Sequence, residues 1–228
     1  MTDGVMIVAI GEAHAQCAVR CVESLREDYS GPVCVISDRE RTLNAQLSTL
    51  NVQVLSVPGE GDPFHTRRYK VELDQWTVFD GCTVYLDADC EVRGPIEPLF
   101  TVPDGYLMAA CQGWPPCIAA LQEDYPQLAD YDPMLPIINS GVFSFRKTEA
   151  ARRFFRAWAV HWRECGRRHD QPALFLALRG QALQLMLLKP EWNLGCDAPR
   201  IRHYYEQAKP FQTVPPVSEN QTSAGDGT

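Results

Sequence analysis

The sequence contains no long hydrophobic run. No stretch of its 228 residues approaches the roughly 18 to 20 apolar residues that a membrane-spanning helix needs. The first residues also lack a signal-peptide pattern, because Asp3 stands where a basic residue is needed and the apolar run at 5–10 is short. We therefore expect no transmembrane segment and a cytoplasmic protein, either free or peripheral at the inner membrane.

Basic residues are scarce, and glycine and proline follow no repeat. Lys and Arg number 21 against 29 Asp and Glu, which gives a formal net charge of −8. This balance argues against a nucleic-acid partner held by bulk positive charge. The 15 glycines and 17 prolines are scattered, which excludes a collagen-like chain. Hydrophobic residues make up 45% of the sequence, enough to bury a core and to exclude a largely disordered chain.

No two of the nine cysteines form a Cys-x-x-Cys pair. A zinc ribbon and a thioredoxin-type redox motif are therefore not expected. The count is odd and most cysteines lie inside apolar segments, which predicts free thiols in a reducing compartment.

Short apolar runs alternate with helical patterns over the first 90 residues. Between the runs the apolar positions recur at helical spacing, as Cys17, Cys21 and Leu25 do. This alternation predicts a parallel sheet with helices on both faces, and so the α/β class. The predicted strands are 5–10, 33–36, 52–57 and 82–86, and the predicted helices are 13–26, 41–50 and 64–78.

The second half of the sequence is less regular. Helices are predicted over 170–178 and over 148–163, where Thr148 is the N-cap and Trp158 and Trp162 are expected in the core. Residues 112–136 are predicted to form a loop with at most one helical turn. The predicted strands are 106–111, 183–188 and 137–145, the last interrupted by Asn139-Ser140-Gly141.

The C-terminal segment 213–228 lacks aromatic residues and is rich in Ser, Thr, Gly and Pro. Such a composition is typical of a disordered tail. One domain is therefore predicted over 1–212.

Two aspartates follow the fourth predicted strand. Asp87 and Asp89 stand two residues apart, and residues i and i+2 of an extended chain point to the same side. Two carboxylates are costly to bury together unless a cation lies between them. Ligands of open α/β sheets bind at the carboxyl ends of strands, and Mg²⁺ and Mn²⁺ prefer carboxylates and phosphates. The pair therefore predicts a divalent-metal site.

A second candidate segment lies near the C-terminus. His203 offers a borderline metal ligand, and Lys209 follows six residues later, so one short segment carries both groups that a diphosphate site needs. The arginine pairs Arg67-Arg68 and Arg167-Arg168, by contrast, are expected to be solvated surface residues.

Four motifs occur in an order that is similar to that of a known family. Over residues 5–211 the chain resembles the glycosyltransferases of the GT-A fold, most closely retaining glycosyltransferase family 8, the group of glycogenin and the lipopolysaccharide galactosyltransferases. The matching segments are Tyr85-Leu86-Asp87-Ala88-Asp89, Asn139-Ser140-Gly141, His169-Asp170-Gln171, and His203-Tyr204 with Lys209-Pro210-Phe211.

The resemblance implies a single Rossmann-like domain with a mixed, mostly parallel sheet. It also implies metal-dependent transfer of a sugar, with retention, from a nucleotide diphosphate sugar such as a UDP-sugar. The acceptor is left open: a saccharide or a lipid-linked sugar is favoured, and a protein or a modified base is the alternative. Asp87, Asp89 and His203 would hold Mn²⁺ or Mg²⁺ against the diphosphate. Lys70 and Lys209 would contact the same diphosphate.

The resemblance implies further contacts with the donor. Asp170 and Gln171 would act at the reacting sugar. The donor pocket would also be lined by Ala88, Asn139, Ser140 and Gly141. The first loop would hold the nucleoside through Ala9, Ile10, Glu12 and His14.

Three other functions are compatible with an Asp-x-Asp motif after a strand. A phosphatase of the haloacid dehalogenase type uses the first aspartate as a nucleophile, but its motif usually opens the chain and continues with Gly-Thr. A nucleotidyltransferase of related fold would carry a glycine-rich loop with a basic residue after the first strand, and Gly11-Glu12-Ala13 is a poor match. A non-catalytic protein that binds sugar nucleotides is the third alternative.

Overall fold

The fold is taken from a computed structural model that describes residues 1–59, 65–111, 117–180, 183–193 and 200–204. The predicted phosphate ligand Lys209 and the predicted tail 213–228 lie outside these residues.

Nine strands form within the described residues. Seven make one sheet and two make a small second sheet. The strands are β1 (Gly4–Val8), β2 (Val33–Ser37), β3 (Val52–Ser56), β4 (Cys82–Asp87), β5 (Cys90–Val92), β6 (Tyr106–Cys111), β7 (Ile138–Arg146), β8 (Gln184–Leu188) and β9 (Ile201–His203).

The large sheet has the order β3-β2-β1-β4-β7-β6-β8. Strands β1 to β4 are parallel to one another, β7 is antiparallel to both of its neighbours, and β6 is parallel to β8. The predicted α/β class and the mixed, mostly parallel sheet are confirmed. The small sheet, in which β5 pairs with β9, was not predicted.

Seven α-helices connect these strands within the described residues. The helices are α1 (Glu12–Arg26), α2 (Glu40–Leu47), α3 (Arg68–Val71), α4 (Leu73–Trp76), α5 (Ala119–Gln122), α6 (Glu149–Glu164) and α7 (Asp170–Gly180), with short 3₁₀ turns at His65–Arg67, Glu97–Thr101, Pro126–Leu128 and Pro190–Trp192.

The two faces of the sheet bury different helices because side chains alternate along each strand. Val5 and Ile7 of β1 point toward α1, whose predicted stripe is buried. Met6, between them, joins the opposite core, where α6 and α7 pack. The predicted core positions Trp158 and Trp162 are both buried in that second core.

The predicted helix over 64–78 is wrong in detail. A 3₁₀ turn and two four-residue helices replace it, because Glu72 leaves the helical region with φ −116° and ψ 24°. Tyr69, Lys70 and Val71 are consecutive and all buried, which one amphipathic face cannot achieve. The break thus brings a lysine into the interior next to apolar residues.

The predicted interruption of β7 is also wrong. The strand runs unbroken through Asn139-Ser140-Gly141, but its pairing with β6 slips there: Ala109 lies opposite Phe143, whereas the next residue, Ala110, lies opposite Asn139. Such irregularities bend a strand and re-aim its side chains, often beside functional sites. Here the slip skips residues 140–142, which include Ser140 and Gly141 of the predicted motif.

The N-terminus of α6 allows a test of the fold. Thr148 Oγ1 accepts a hydrogen bond from the Ala151 N–H, as the sequence predicts for an N-cap. We expect Thr148→Ala to lower the free energy of unfolding by about 1 kcal/mol, whereas Thr148→Ser, which keeps the acceptor, changes it little. Urea unfolding monitored by tryptophan fluorescence measures both. Equal stabilities of the two variants would contradict the assigned cap.

Candidate functional site

The candidate site lies at the carboxyl ends of β1 and β4. From β1 the sheet continues to β2 on one side and to β4 on the other, so the strand order reverses there. In open α/β sheets, ligands bind at such a switch point. Asp87 is the last residue of β4, and Ala88, which is buried, joins it to Asp89. The Tyr204 N–H donates to the Asp89 carbonyl, which fixes the turn against the end of β9.

Three predicted metal ligands meet at this turn. His203 Nε2 lies 3.1 Å from Asp89 Oδ1 and 3.5 Å from Asp87 Oδ2. Burial alone would lower the pKa of His203, but its hydrogen bond to Asp89 and the charges of both aspartates outweigh burial and raise the pKa above its ordinary value. One imidazole nitrogen thus lies beside two carboxylates, and its closer contact is with Asp89.

The other side of the His203 ring is held by two buried asparagines. His203 Nδ1 lies 2.8 Å from Asn193 Oδ1, and Asn193 Nδ2 donates to Asn139 Oδ1 over 2.6 Å. Gly141 supplies the space that the ring needs, because a Cβ built at this position would collide with His203 Cε1. Asn193 was not predicted, because it belongs to no sequence motif and its burial becomes apparent only in the fold.

Lys70 lies between two carboxylates in the same cleft. Its Nζ is 2.9 Å from Asp87 Oδ1 and 3.1 Å from Asp170 Oδ2. Burial would lower the pKa of Lys70, but Asp170 and Asp87 outweigh it and raise the pKa. The Tyr85 hydroxyl also donates to Asp87 Oδ1, at 2.7 Å. The Asp87 carboxylate is therefore held by two groups on one side and faces His203 on the other.

Asp170 opens α7 and is buried. Its Oδ2 accepts a 2.6 Å hydrogen bond from the Ser140 hydroxyl, and its backbone carbonyl accepts one from Trp158 Nε1. Burial would raise the pKa of Asp170, but the charges of Lys70 and Arg67 outweigh it and lower the pKa to about 2. Asp170 is therefore an ionised partner of two cations. Gln171, the next residue of α7, is half-buried.

Arg67 was predicted to be a solvated surface residue, and that prediction is wrong. Its Nε lies 3.6 Å from Asp170 Oδ1, and 21% of its side chain is exposed. Arg67 and Lys70 stand three residues apart around the 3₁₀ turn and α3, so both can reach the same carboxylate. Arg68 is not purely solvated either, because its guanidinium lies over the ring of Tyr69 at 4.7 Å.

The first loop lies beside this cluster at the end of β1. Ala9 and Ile10 are buried, whereas Glu12 and His14 are exposed on the first turn of α1. His14 Nδ1 lies 3.0 Å from the Ile10 carbonyl. The exposed side chains of Glu12 and His14 can contact a ligand without any rearrangement of the core.

A carboxylate that was not predicted supports the first loop. The Gly11 N–H donates to Asp38 Oδ1, at 2.8 Å, and Gly11 has φ +84°, a conformation that favours glycine. Asp38 follows β2 directly, so an aspartate after a buried strand was the signal for it.

Buried thiols line the inner side of the site. Cys90 Sγ contacts the Gly141 carbonyl at 3.9 Å, and Asp89, Cys90 and His203 each place one ligand atom within 4.8 Å of the others. Burial raises the pKa of Cys90 well above its ordinary value, so the thiol stays protonated and is the weakest ligand of the three. The free thiols that the structure describes, as predicted, are Cys17, Cys21, Cys34, Cys82, Cys90, Cys117 and Cys165.

The structure thus brings together most of the predicted site residues. Asp87, Asp89, His203, Lys70 and Asp170 form one connected cluster of charged groups. Asn139, Ser140 and Gly141 support it from β7, and the first-loop residues lie at its rim. The Asn139 side-chain oxygen faces Asn193 and the Gly141 N–H, so contact between Asn139 and a donor sugar stays a prediction.

Solved structures of three proteins share this architecture. Mouse xyloside xylosyltransferase 1 is similar with a TM-score of 0.63 at 14% identity, covering 90% of this chain and 99% of that chain. The galactosyltransferase LgtC, in complex with donor and acceptor sugar analogues, gives 0.65 at 17% identity, covering 90% and 87%. The chain has the GT-A fold.

A third GT-A-fold structure belongs to a longer chain, of which the match covers only part. The glycosyltransferase GlyE of Streptococcus pneumoniae gives a TM-score of 0.63 at 16% identity, and the match covers 93% of this chain but only 57% of GlyE. No family model matches the sequence, and no curated protein does. The predicted GT-A fold is confirmed by structure alone.

None of the helices in the described part of the chain is both long and apolar enough to cross a membrane.

The Asp170 carboxylate gives a pH-dependent prediction. Its folded pKa of about 2 lies below the ordinary 3.8, so its ionised form stabilises the fold above pH 3.8, and this contribution is lost as the pH falls through the folded value. The shift corresponds to about 2 kcal/mol. We expect the gap in unfolding free energy between the unmodified protein and Asp170→Asn to narrow as the pH falls below about 4.

Urea unfolding at a series of pH values measures that gap. Asp28→Asn, at an exposed position after α1, is the matched control and should show no comparable change. A gap for Asp170→Asn that stays constant with pH would contradict the pairing of Asp170 with its two cations.

Proposed function

We propose that the protein is a metal-dependent glycosyltransferase that moves a sugar from a nucleotide diphosphate sugar to a saccharide or lipid-linked acceptor. The observation that supports this most is the contact of His203 with both Asp87 and Asp89 at the switch point of a GT-A-fold sheet. The structural neighbours are glycosyltransferases by name, and LgtC was solved with donor and acceptor sugar analogues. A cytoplasmic location is part of the proposal.

Asp89 and His203, with Asp87 beside them, offer ligands that suit a divalent cation. Two ligands bound at right angles, each about 2.1 Å from a cation, lie about 3 Å apart. The separations of 3.1 and 3.5 Å between His203 Nε2 and the two aspartates are close to that value. Among the described residues, Asp89 and His203 also belong to a group of ligand atoms that lie within 4.8 Å of one another, and Asp87 lies beside that group. A set of carboxylates with one imidazole suits Mn²⁺ and also accepts Mg²⁺. When bound, the cation would neutralise the leaving diphosphate as a Lewis acid.

The cations of the cleft would act on the same leaving group. Lys70 already carries its charge into a buried site next to Asp87, where electrostatic effects are strong. Lys209, outside the described residues, is proposed as a second phosphate contact. Tyr85 and Lys70 hold the orientation of Asp87, so the carboxylate needs little reorganisation.

The state of Asp170 supports a front-face route to retention. A double displacement needs a carboxylate that is close to the anomeric carbon and reactive toward it. Asp170 has a lowered pKa and is held by Ser140 and Lys70, which favours a positioning role over nucleophilic attack. In the front-face route the departing phosphate oxygen takes the proton of the acceptor hydroxyl. Gln171 would then line the sugar beside the reacting carbon.

The nucleoside would lie over the first loop. Glu12 and His14 expose a carboxylate and an aromatic ring beside Ala9 and Ile10 at the end of β1. A carboxylate can accept hydrogen bonds from ribose or base, and a ring can stack on the base. We propose uridine as the base, and therefore a UDP-sugar as donor.

A screen of nucleotide sugars tests the proposed activity. We expect Mn²⁺-dependent release of the nucleoside diphosphate from at least one UDP-sugar, detected by coupled assay. Asp89→Asn should lower this rate about 100-fold or more, because the cation loses a charged ligand at the leaving group. Asp28→Asn, exposed and outside the site, should retain the full rate.

The rival functions have different outcomes in the same screen. UDP and Mn²⁺ that stabilise the protein together, without any turnover, would favour a non-catalytic sugar-nucleotide-binding protein. Release of pyrophosphate from a nucleoside triphosphate would favour a nucleotidyltransferase. Hydrolysis of the donor that survives Asp89→Asn would count against the metal site.

The stereochemistry of the product tests the role of Asp170. With an active donor in hand, Asp170→Asn should lower the rate but leave the anomeric configuration of the product unchanged, as read by NMR. A trapped glycosyl ester on Asp170 in the unmodified enzyme, seen by mass spectrometry, would contradict the front-face route.

A further inference from the structure

We propose that Asn193 is a positioning residue that orients the His203 imidazole so that its Nε2 faces the metal site with a lone pair. This inference rests on the proposed metal site and adds a residue that lies outside the recognised motifs. The hydrogen-bond chain that supports it runs from a backbone N–H of β7 to the His203 ring, and each link fixes the next.

The first link has only one possible direction. The Gly141 backbone N–H, which can only donate, lies 2.6 Å from the Asn139 side chain. The Asn139 atom at this position must therefore be the carbonyl oxygen, even though amide oxygen and nitrogen are hard to tell apart by shape.

The second link follows from the first. The Asn139 oxygen also lies 2.6 Å from one of the two terminal atoms of the Asn193 amide. If that atom were the amide oxygen, the two oxygens would repel each other at this distance. Asn193 must therefore present its NH₂ group to Asn139. Its own oxygen then points the other way, toward the His203 ring.

The third link fixes the imidazole. Asn193 Oδ1 lies 2.8 Å from His203 Nδ1 and can only accept, so Nδ1 carries a proton. In a ring that binds a cation, Nε2 then bears the lone pair, and Nε2 is the nitrogen that faces Asp87 and Asp89. A second partner of this kind typically fixes the tautomer and the orientation of a metal-binding histidine.

Burial makes the arrangement restrictive. Asn193 is 0% exposed, Asn139 is 1% exposed and His203 is 6% exposed, so water cannot readily replace a missing partner. A rotated ring or a flipped amide would leave buried polar atoms opposed to each other, at a cost of about 1–3 kcal/mol for each. The orientation of the ring, with Nε2 toward the metal site, is therefore selected before a cation arrives.

The test compares Asn193→Leu, which keeps the side-chain shape and removes the acceptor, with two reference variants. His203→Ala removes the ligand itself. Thr83→Ala is the matched control, since it removes the buried hydrogen bond between Thr77 and Thr83 at the opposite end of β4. Each folded variant is titrated with MnCl₂ alone, and free Mn²⁺ is measured by EPR. Electron spin-echo modulation from a directly bound imidazole nitrogen is recorded near saturation.

We expect Asn193→Leu to weaken Mn²⁺ binding about 10- to 100-fold and to reduce the nitrogen modulation, because the ring is free to present the wrong nitrogen. Thr83→Ala should keep both the affinity and the modulation, although it also lowers stability. If Asn193→Leu does not fold, Asn139→Ala cuts the same chain one link earlier and should give the same two changes.

Two other outcomes separate the inference from the proposed function. Mn²⁺ affinity and modulation that are unchanged in Asn193→Leu or in Asn139→Ala, but lost in His203→Ala, would overturn the role of Asn193 and leave the metal site intact. An unmodified protein without imidazole modulation, and with an affinity that His203→Ala does not change, would overturn the metal site itself.

Discussion

Three aspartates near one another, one buried and two partly buried, are the constraint on which the rest of the site depends. Asp87, Asp89 and Asp170 could not remain ionised in a poorly hydrated cleft without positive charge beside them. Lys70 lies between two of them, and the imidazole of His203 lies between Asp87 and Asp89. These partners come from α3 and β9, and Asp170 comes from α7, so the charge balance ties distant parts of the chain to the end of β4.

Much of the fold could be predicted from sequence because the strands β1, β2 and β4 are buried on both faces. Continuous apolar runs identified β1 to β4, and the stripe at Cys17, Cys21 and Leu25 identified α1. The segment before β4 was predicted as one helix because its apolar residues keep helical spacing past Glu72. The backbone, however, leaves the helical conformation at Glu72. Three-residue strands such as β5 and β9 carry too little pattern to be recognised.

Site residues that belong to a sequence motif could be predicted. Site residues that are brought in only by packing of the folded chain could not. The spacing of Asp87 and Asp89 directly after a strand was enough to predict a site. His203 was predicted only because of the residues that follow it in the sequence. Arg67 looked like a surface residue because its partner Asp170 is about 100 positions away in the sequence. Asn193 belongs to no motif, since its importance arises from atoms that only the folded chain brings together.

The hydrogen-bond chain behind His203 has an evolutionary consequence, because its origin is a main-chain amide. Any residue except proline would supply a backbone N–H at position 141. A substitution there would therefore leave in place the donor that fixes the orientation of the Asn139 amide, and through it that of Asn193. What limits drift at Gly141 is space, because a side chain would collide with the ring. Lineages of this fold could therefore exchange Asn139 and Asn193 as a pair for other donor–acceptor combinations, provided that a residue without a side chain stays beneath the imidazole.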